Sequence, residues 1–405
     1  MIEINKKEKI RVPYALAVHG DEEEKAVLDV LREHKTIMGE RTEKFESAVA
    51  SVFGKKYGVM VNSGSSANLL ALELLNVPEG SEIITPVLTF ATTIAPILQK
   101  KLRPVFIDVE SGTYQININK IREKLTSKTK ALMIPSLIGN VPNMEELRKI
   151  AREYDLAFIE DSCDTLGATY DGLPTGVYSD ISTTSFYGSH IITACGGGGM
   201  ICFSRKESEV RCKMLRGWGR SSAVNESEDL SQRFGVEIEG IQYDSKFIFS
   251  ELGYNFLPIE VSAAFGLEQL KKLKSFSEAR IKNFTQLYEF FLKYQQFFIL
   301  PKQLPEVKTN WLAFPLTIKP DSPFSRSLIT TYLEENNIQT RPVFTGNILR
   351  QPAFKHLNGE QKADDFPAAD NIMKNAFLIG CHHGLTEVHI DYLKKVFTKF
   401  LDKFS

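Results

Sequence analysis

The stretch Ala157-Phe158-Ile159-Glu160-Asp161 decides how the chain is read, because three apolar residues run straight into two carboxylates. A short apolar run with polar boundaries is the pattern of a strand buried on both faces. The pattern recurs at 57–61 (YGVMV), 82–86 (EIITP), 104–109 (PVFIDV) and 131–137 (ALMIPSL). Helix-like stretches separate these runs, at 66–75, 119–125 and 143–154. Such alternation predicts an α/β layered domain. Strands covered by helices on both faces are usually parallel, and ligands then bind beyond their carboxyl ends, where Glu160 and Asp161 stand.

Beyond Pro258 an amphipathic stretch rich in Leu, Lys and Glu runs over 259–294 and joins this unit to another. From about residue 297 the chain reads as a smaller α/β unit, with a strand at 311–318, a helix at 325–336 and a closing helix at 388–404. The expected division is a large unit over 1–265 and a linking helix with a small C-terminal unit over 266–405. The first 30 or so residues can pack on either.

The 405 residues suffice for a large buried core, and 43% hydrophobic with 24% charged residues is ordinary for a globular protein. A net charge of -1 gives no electrostatic reason for a nucleic acid or an anionic membrane as partner. The opening MIEINKKEKIRV is too polar for a secretory signal, and no apolar run reaches the roughly 20 residues of a membrane span. Cys163, Cys195, Cys202, Cys212 and Cys381 are odd in number and irregular in spacing, which reads as reduced thiols in a cytoplasmic protein. Without any CxxC pair among them, no metal site is expected.

Two segments carry candidate chemistry. Asn62-Ser63-Gly64-Ser65-Ser66-Ala67-Asn68 follows an apolar strand and opens a helix, so it reads either as an anion-binding helix start or as a serine N-cap. Ser185-Phe186-Tyr187-Gly188-Ser189-His190-Ile191-Ile192-Thr193 precedes Ala194, Cys195 and four glycines, Gly196 to Gly199. Its histidine reads either as a proton carrier near neutral pH or as a core histidine at a strand end.

That second segment resembles the motif with which sugar aminotransferases of the DegT/DnrJ/EryC1 family present their Schiff-base lysine. The family motif is Ser-Phe, three variable residues, Lys, one residue, Ile-Thr and a glycine cluster; His190 stands at the lysine position. The block Glu160-Asp161-Ser162-Cys163-Asp164-Thr165-Leu166-Gly167-Ala168, which places Asp161 29 residues before His190, also resembles the family. So do 85–93 (TPVLTFATT), Gly217-Trp218-Gly219-Arg220, Gly253-Tyr254-Asn255, Arg341-Pro342-Val343-Phe344 and Arg350-Gln351-Pro352. The resemblance implies an aspartate-aminotransferase-type fold (PLP fold type I), with a mixed, mostly parallel sheet in the large domain and a smaller C-terminal α/β domain. It implies pyridoxal or pyridoxamine 5'-phosphate as cofactor. Asp161 would hold the ring nitrogen cationic, Asp164 would lie near the ring, and Phe90 would stack on it. Gly64, Ser65, Ser66 and Ser185 would meet the phosphate, joined by Asn255 from the neighbouring subunit of a homodimer. Arg220, Arg341 and Arg350 would meet the diphosphate of a nucleotide sugar or the carboxylate of L-glutamate.

A histidine cannot form the imine that a transaminase needs, so the exchange at 190 points to the branch that removes the C3 hydroxyl of nucleotide-linked 4-keto-6-deoxyhexoses. Here His190 is the expected catalytic residue, in PMP/PLP-dependent 3-dehydration serving deoxysugar biosynthesis. Within the branch, enzymes of CDP-4-keto-6-deoxyglucose hold an iron–sulfur cluster and take electrons from a reductase. Their cluster cysteines fall in an interval that is cysteine-free here, 221–232. Enzymes of GDP-4-keto-6-deoxymannose are cluster-free and use glutamate, which this interval favours, whereas Arg233-Phe234-Gly235 looks more like the first kind. Cys195-Gly196-Gly197-Gly198 also departs from the family's Gly-Glu-Gly-Gly. A reductase-coupled enzyme, another PMP chemistry and a non-catalytic sugar-nucleotide sensor remain the alternatives.

Overall fold

The computed structural model describes residues 10–224 and 229–404. The polar opening over 1–9 and the 225–228 part of the cysteine-free interval lie outside the described residues. Seven strands form the main sheet: β1 (Tyr57–Val61), β2 (Glu82–Pro86), β3 (Arg103–Ile107), β4 (Thr129–Pro135), β5 (Ala157–Asp161), β6 (Ile181–Ser185) and β7 (Gly199–Phe203). Their order is β1-β7-β6-β5-β4-β2-β3. Pairing is parallel from β3 through to β6, and β7 alone runs antiparallel to both its neighbours.

Side-chain alternation explains why these strands read as unbroken apolar runs. Ile83, Met133 and Ile159 enter one buried layer, while their chain neighbours Ile84, Leu132, Ile134 and Phe158 enter the layer on the opposite face. Helices cover both layers. α1 (Gly64–Leu75) and α2 (Ala91–Gln99) put Leu70, Ala71, Ile94 and Ile97 into the first, and α3 (Met144–Glu153) puts Met144, Leu147 and Ile150 into the second. Each such Leu, Ile or Met side chain contributes about 1.5–3 kcal/mol on burial. Asn143 starts α3 by accepting a hydrogen bond from the Glu146 amide at 2.9 Å.

The expected linking helix is two helices, α4 (Glu260–Lys271) and α5 (Leu273–Leu292), which meet at Lys272. Residue 265, the expected boundary, lies inside α4, which packs on helices Asp21–Arg32 and Glu40–Val52. The helix expected at 119–125 is instead two 3-10 turns, Ile118–Lys120 and Arg122–Lys124. A second, antiparallel sheet is ordered Phe298–Ile299, Phe314–Ile318, Ala376–Ile379, Thr340–Arg341. Its core, with Phe291, Leu316, Leu333 and Phe397, continues into the first layer of the main sheet.

Candidate active site

The carboxyl ends of β4, β5 and β6 and the first turn of α1 surround a cavity of about 460 Å³. Asp161, the last residue of β5, lines it and is only 6% exposed. Its Oδ2 accepts hydrogen bonds from Asn68 Nδ2 at 2.8 Å and Thr93 Oγ1 at 2.9 Å, and its Oδ1 accepts one from the Cys163 amide at 3.3 Å. Asn68 is itself held by a hydrogen bond from Thr183 Oγ1 at 2.6 Å. All these donors are neutral and no ion pair involves Asp161 among the described residues.

Gly64 and Ser65 bring the amino end of α1 to the cavity. A Cβ at Gly64 would lie 2.6 Å from Ser185 Cβ and 3.0 Å from Cys163 Sγ, so only glycine lets the helix end approach the strand ends this closely. Ser185 ends β6 and lines the same wall. Ser66 departs from expectation: its hydroxyl donates to Asn62 Oδ1 at 2.7 Å, which turns it into the helix start and off the cavity wall. Phe90, just before α2, lines the opening while 52% exposed, with an edge-on contact to Phe344. An aromatic face left open over an anion-accepting helix end and a buried carboxylate suits a flat, phosphorylated, cationic heterocycle.

His190 sits on the loop that joins β6 to β7, with its side chain 16% exposed. Nδ1 lies 3.2 Å from the Ser185 carbonyl, which favours the tautomer protonated there and leaves the Nε2 lone pair free. Nε2 lies 3.8 Å from Asp164 Oδ1. Burial lowers the His190 pKa to about 4, against the Ser185 carbonyl and Asp161, which raise it, while Arg280 lowers it further. Asp164 accepts a hydrogen bond from the Ile138 amide at 3.0 Å, yet burial and the charge of Asp161 push its pKa up to about 7. Ile138 makes that contact at φ 62°, a strained setting for a β-branched residue. A neutral imidazole and a carboxyl that keeps its proton up to about pH 7 therefore stand side by side on the cavity wall, and no lysine lines the cavity among the described residues.

Of the three arginines, only Arg341 reaches the cavity, beside the Tyr14 ring with its guanidinium 5.5 Å away. Arg350 lies off the cavity within this chain: it bonds Asp364 at 2.6 Å and also Asp370, so its fork is filled by carboxylates. Arg220 lies over the Trp218 ring at 4.4 Å and Asn255 is exposed, and neither lines the cavity within this chain. Tyr14, Asn68, Thr93, Tyr187 and Leu312 also line it, unflagged by the sequence reading.

A family model, the DegT/DnrJ/EryC1/StrS aminotransferase family, matches residues 18–398. The chain belongs to this family. As a DegT/DnrJ/EryC1/StrS protein it is similar to dTDP-4-dehydro-2,6-dideoxy-D-glucose 3-dehydratase of Saccharopolyspora spinosa, 36% identical over 96% of this chain and 86% of that protein. It is likewise similar to GDP-4-keto-6-deoxy-D-mannose 3-dehydratase of Escherichia coli O55:H7, 34% identical over 96% of this chain and 99% of that one. A crystal structure of GDP-4-keto-6-deoxymannose-3-dehydratase with a trapped PLP-glutamate geminal diamine superposes with a TM-score of 0.86, at 31% identity, covering 95% of this chain and 99% of that one. The aminotransferase-type α/β fold is thus shared by family members with different names, and the site has to separate their chemistries.

Proposed function

We propose that the protein is a PLP/PMP-dependent 3-dehydratase of a nucleotide-linked 4-keto-6-deoxyhexose, with L-glutamate as amine donor, acting in deoxysugar biosynthesis. The observation that carries this reading is His190, whose Nε2 faces a cavity that no lysine lines among the described residues. When bound, the cofactor supplies an amine for the sugar ketone and a ring that draws off electrons. Asp161 holds the ring nitrogen protonated, Phe90 covers one ring face, and Gly64, Ser65 and Ser185 receive the phosphate. Nε2 of His190 takes a proton from the carbon beside the amine and returns one to the departing C3 hydroxyl. Asp164, its pKa pushed up to about 7, keeps its proton to higher pH than a free carboxyl and so limits the negative charge next to Asp161. Arg341 meets the diphosphate or the glutamate carboxylate. The sugar loses one oxygen atom overall, while glutamate becomes 2-oxoglutarate and ammonia, which balances atoms and electrons.

A homodimer with shared sites completes the proposal. Asn255 and Arg220 would face the neighbouring subunit, and the exposed apolar side chains around them, Phe247, Phe249 and Leu252 (98% exposed), support a covered surface there. Two units, divided after Lys271 so that α4 stays with the first, and a cytoplasmic setting belong to the same reading; among the described residues no helix is long and apolar enough to cross a membrane. The test is incubation with GDP-, dTDP- and CDP-linked 4-keto-6-deoxyhexoses, PLP and glutamate, with and without a reductase system. Deoxygenation that needs glutamate and no reductase supports the proposal; dependence on a reductase, or no product from any sugar, refutes it.

A further inference from the structure

Arg280 lies on α5, behind the cavity wall, and is 1% exposed. No carboxylate pairs with it among the described residues. Its Nη1 donates to the carbonyls of Trp311 at 3.2 Å and Leu312 at 3.1 Å, its Nη2 to the carbonyl of His190 at 3.3 Å, and its Nε to His383 Nδ1 at 3.2 Å. His383 is fixed in turn by stacking on Phe276, ring centroids 3.8 Å apart. Taking a guanidinium out of water without a counter-ion is expensive, and a nearby carboxylate would relieve it. Here carbonyl dipoles from two separate segments do so instead. Both segments, through His190 and Leu312, form the cavity wall.

We propose that Arg280 is a positioning residue of the active site, pinning the peptide of His190 to the Trp311–Leu312 segment and thereby fixing where the imidazole stands. The inference rests on the assignment of His190 as the proton carrier, whereas the NMR part of its test does not depend on that assignment. A planar fork is suited to this task because it reaches carbonyls on several sides at once, which an ammonium cannot do with the same geometry. Leaving the charge without a carboxylate has a second consequence. The other groups facing His190 are Asp161 at the end of β5, Cys163 and Asp164 on the loop after it, Tyr187 on its own loop, and Tyr14 and Arg341 across the cavity. Asp161 favours the imidazolium; Arg280, without a carboxylate partner among the described residues, opposes it and adds to burial in keeping the lone pair available.

The experiment is histidine-labelled NMR of the full chain without substrate, with the His190 signal identified by its loss in His190→Asn. In wild type the His190 signal stays that of a neutral imidazole down to about pH 5. Arg280→Met is expected to raise its titration midpoint, with burial still holding it below the ordinary histidine value. Arg280→Lys keeps the charge, and is expected to keep a low midpoint but to move the His190 chemical shift and lower kcat at least about 10-fold, with KM for the sugar changed less than about 3-fold. Should Arg280→Met not fold, the Arg280→Lys shift and kcat decide alone. A wild-type His190 shift and kcat in Arg280→Lys, or an unmoved midpoint in folded Arg280→Met, overturns the inference. Loss of the dehydratase reading would leave the titration data as they stand, so the two failures are distinguishable.

Discussion

His190 Nε2 stands 3.8 Å from Asp164 Oδ1, and the site biases both groups toward their uncharged forms. At that distance they do not hydrogen-bond directly and no atom fits between them, so a substrate atom or a water can meet both only from the cavity side. A lysine in place of His190 would bring a permanent nucleophile; the imidazole brings only a movable proton.

Replacing His190 with asparagine removes that proton carrier while retaining a polar side chain of similar reach. Turnover is expected to fall by about 10²–10⁴-fold, with bound cofactor still visible by absorbance. A variant keeping more than about a tenth of wild-type turnover would contradict the assignment.

Asp164→Asn tests the raised acid through stability. The native pKa is about 7 and the ordinary value is 3.8, so between those pH values the unfolded chain has released a proton that the native state keeps. Wild-type stability therefore falls as pH rises through this window. Asparagine can still accept from the Ile138 amide but does not titrate. Denaturant unfolding should show the variant gaining about 1–4 kcal/mol relative to wild type between pH 4 and pH 8. Parallel pH profiles of the two proteins would show that Asp164 is not raised.

Asp161→Asn keeps the hydrogen-bonded frame of Asn68 and Thr93 but removes the charge offered to the cavity. Equilibrium dialysis should find cofactor held about 10–100-fold more weakly, in line with the loss of a charged hydrogen bond. Unchanged retention would remove Asp161 from the cofactor site.

Arg341→Ala and Arg350→Ala should behave oppositely. The first opens into the cavity and should lower kcat/KM by about 10-fold or more; the second breaks surface ion pairs with Asp364 and Asp370 and should leave kcat/KM within about 2-fold. Steady-state kinetics of the pair would expose a wrong assignment of either.

Legibility in the sequence follows the range of the interactions. Strands β1 to β5 announce themselves because burial on both faces demands continuous apolar runs. Strand β6 does not: Ile181–Ser185 is mostly serine and threonine, buried by hydrogen bonds such as Thr184 Oγ1 to the Ser162 carbonyl at 3.0 Å. His190 and Asp161 are legible because their neighbours in sequence form motifs. Asn68 and Thr93, which hold Asp161 from 93 and 68 residues away, carry no local signal of that task. Tyr14 and Arg280 are likewise brought to the site by tertiary packing alone. Arg350 shows the converse, an arginine in a family-like motif whose fork the fold commits to Asp364 and Asp370.

The most direct measurement is the mass of the sugar product formed by purified protein with PLP, glutamate and a nucleotide-linked 4-keto-6-deoxyhexose. The account predicts a sugar lighter than its substrate by one oxygen atom, with one ammonia and one 2-oxoglutarate released per turnover. A product that keeps all its oxygen save that of the ketone and carries the glutamate nitrogen would be an amino sugar, and would contradict an imidazole-driven dehydration at residue 190.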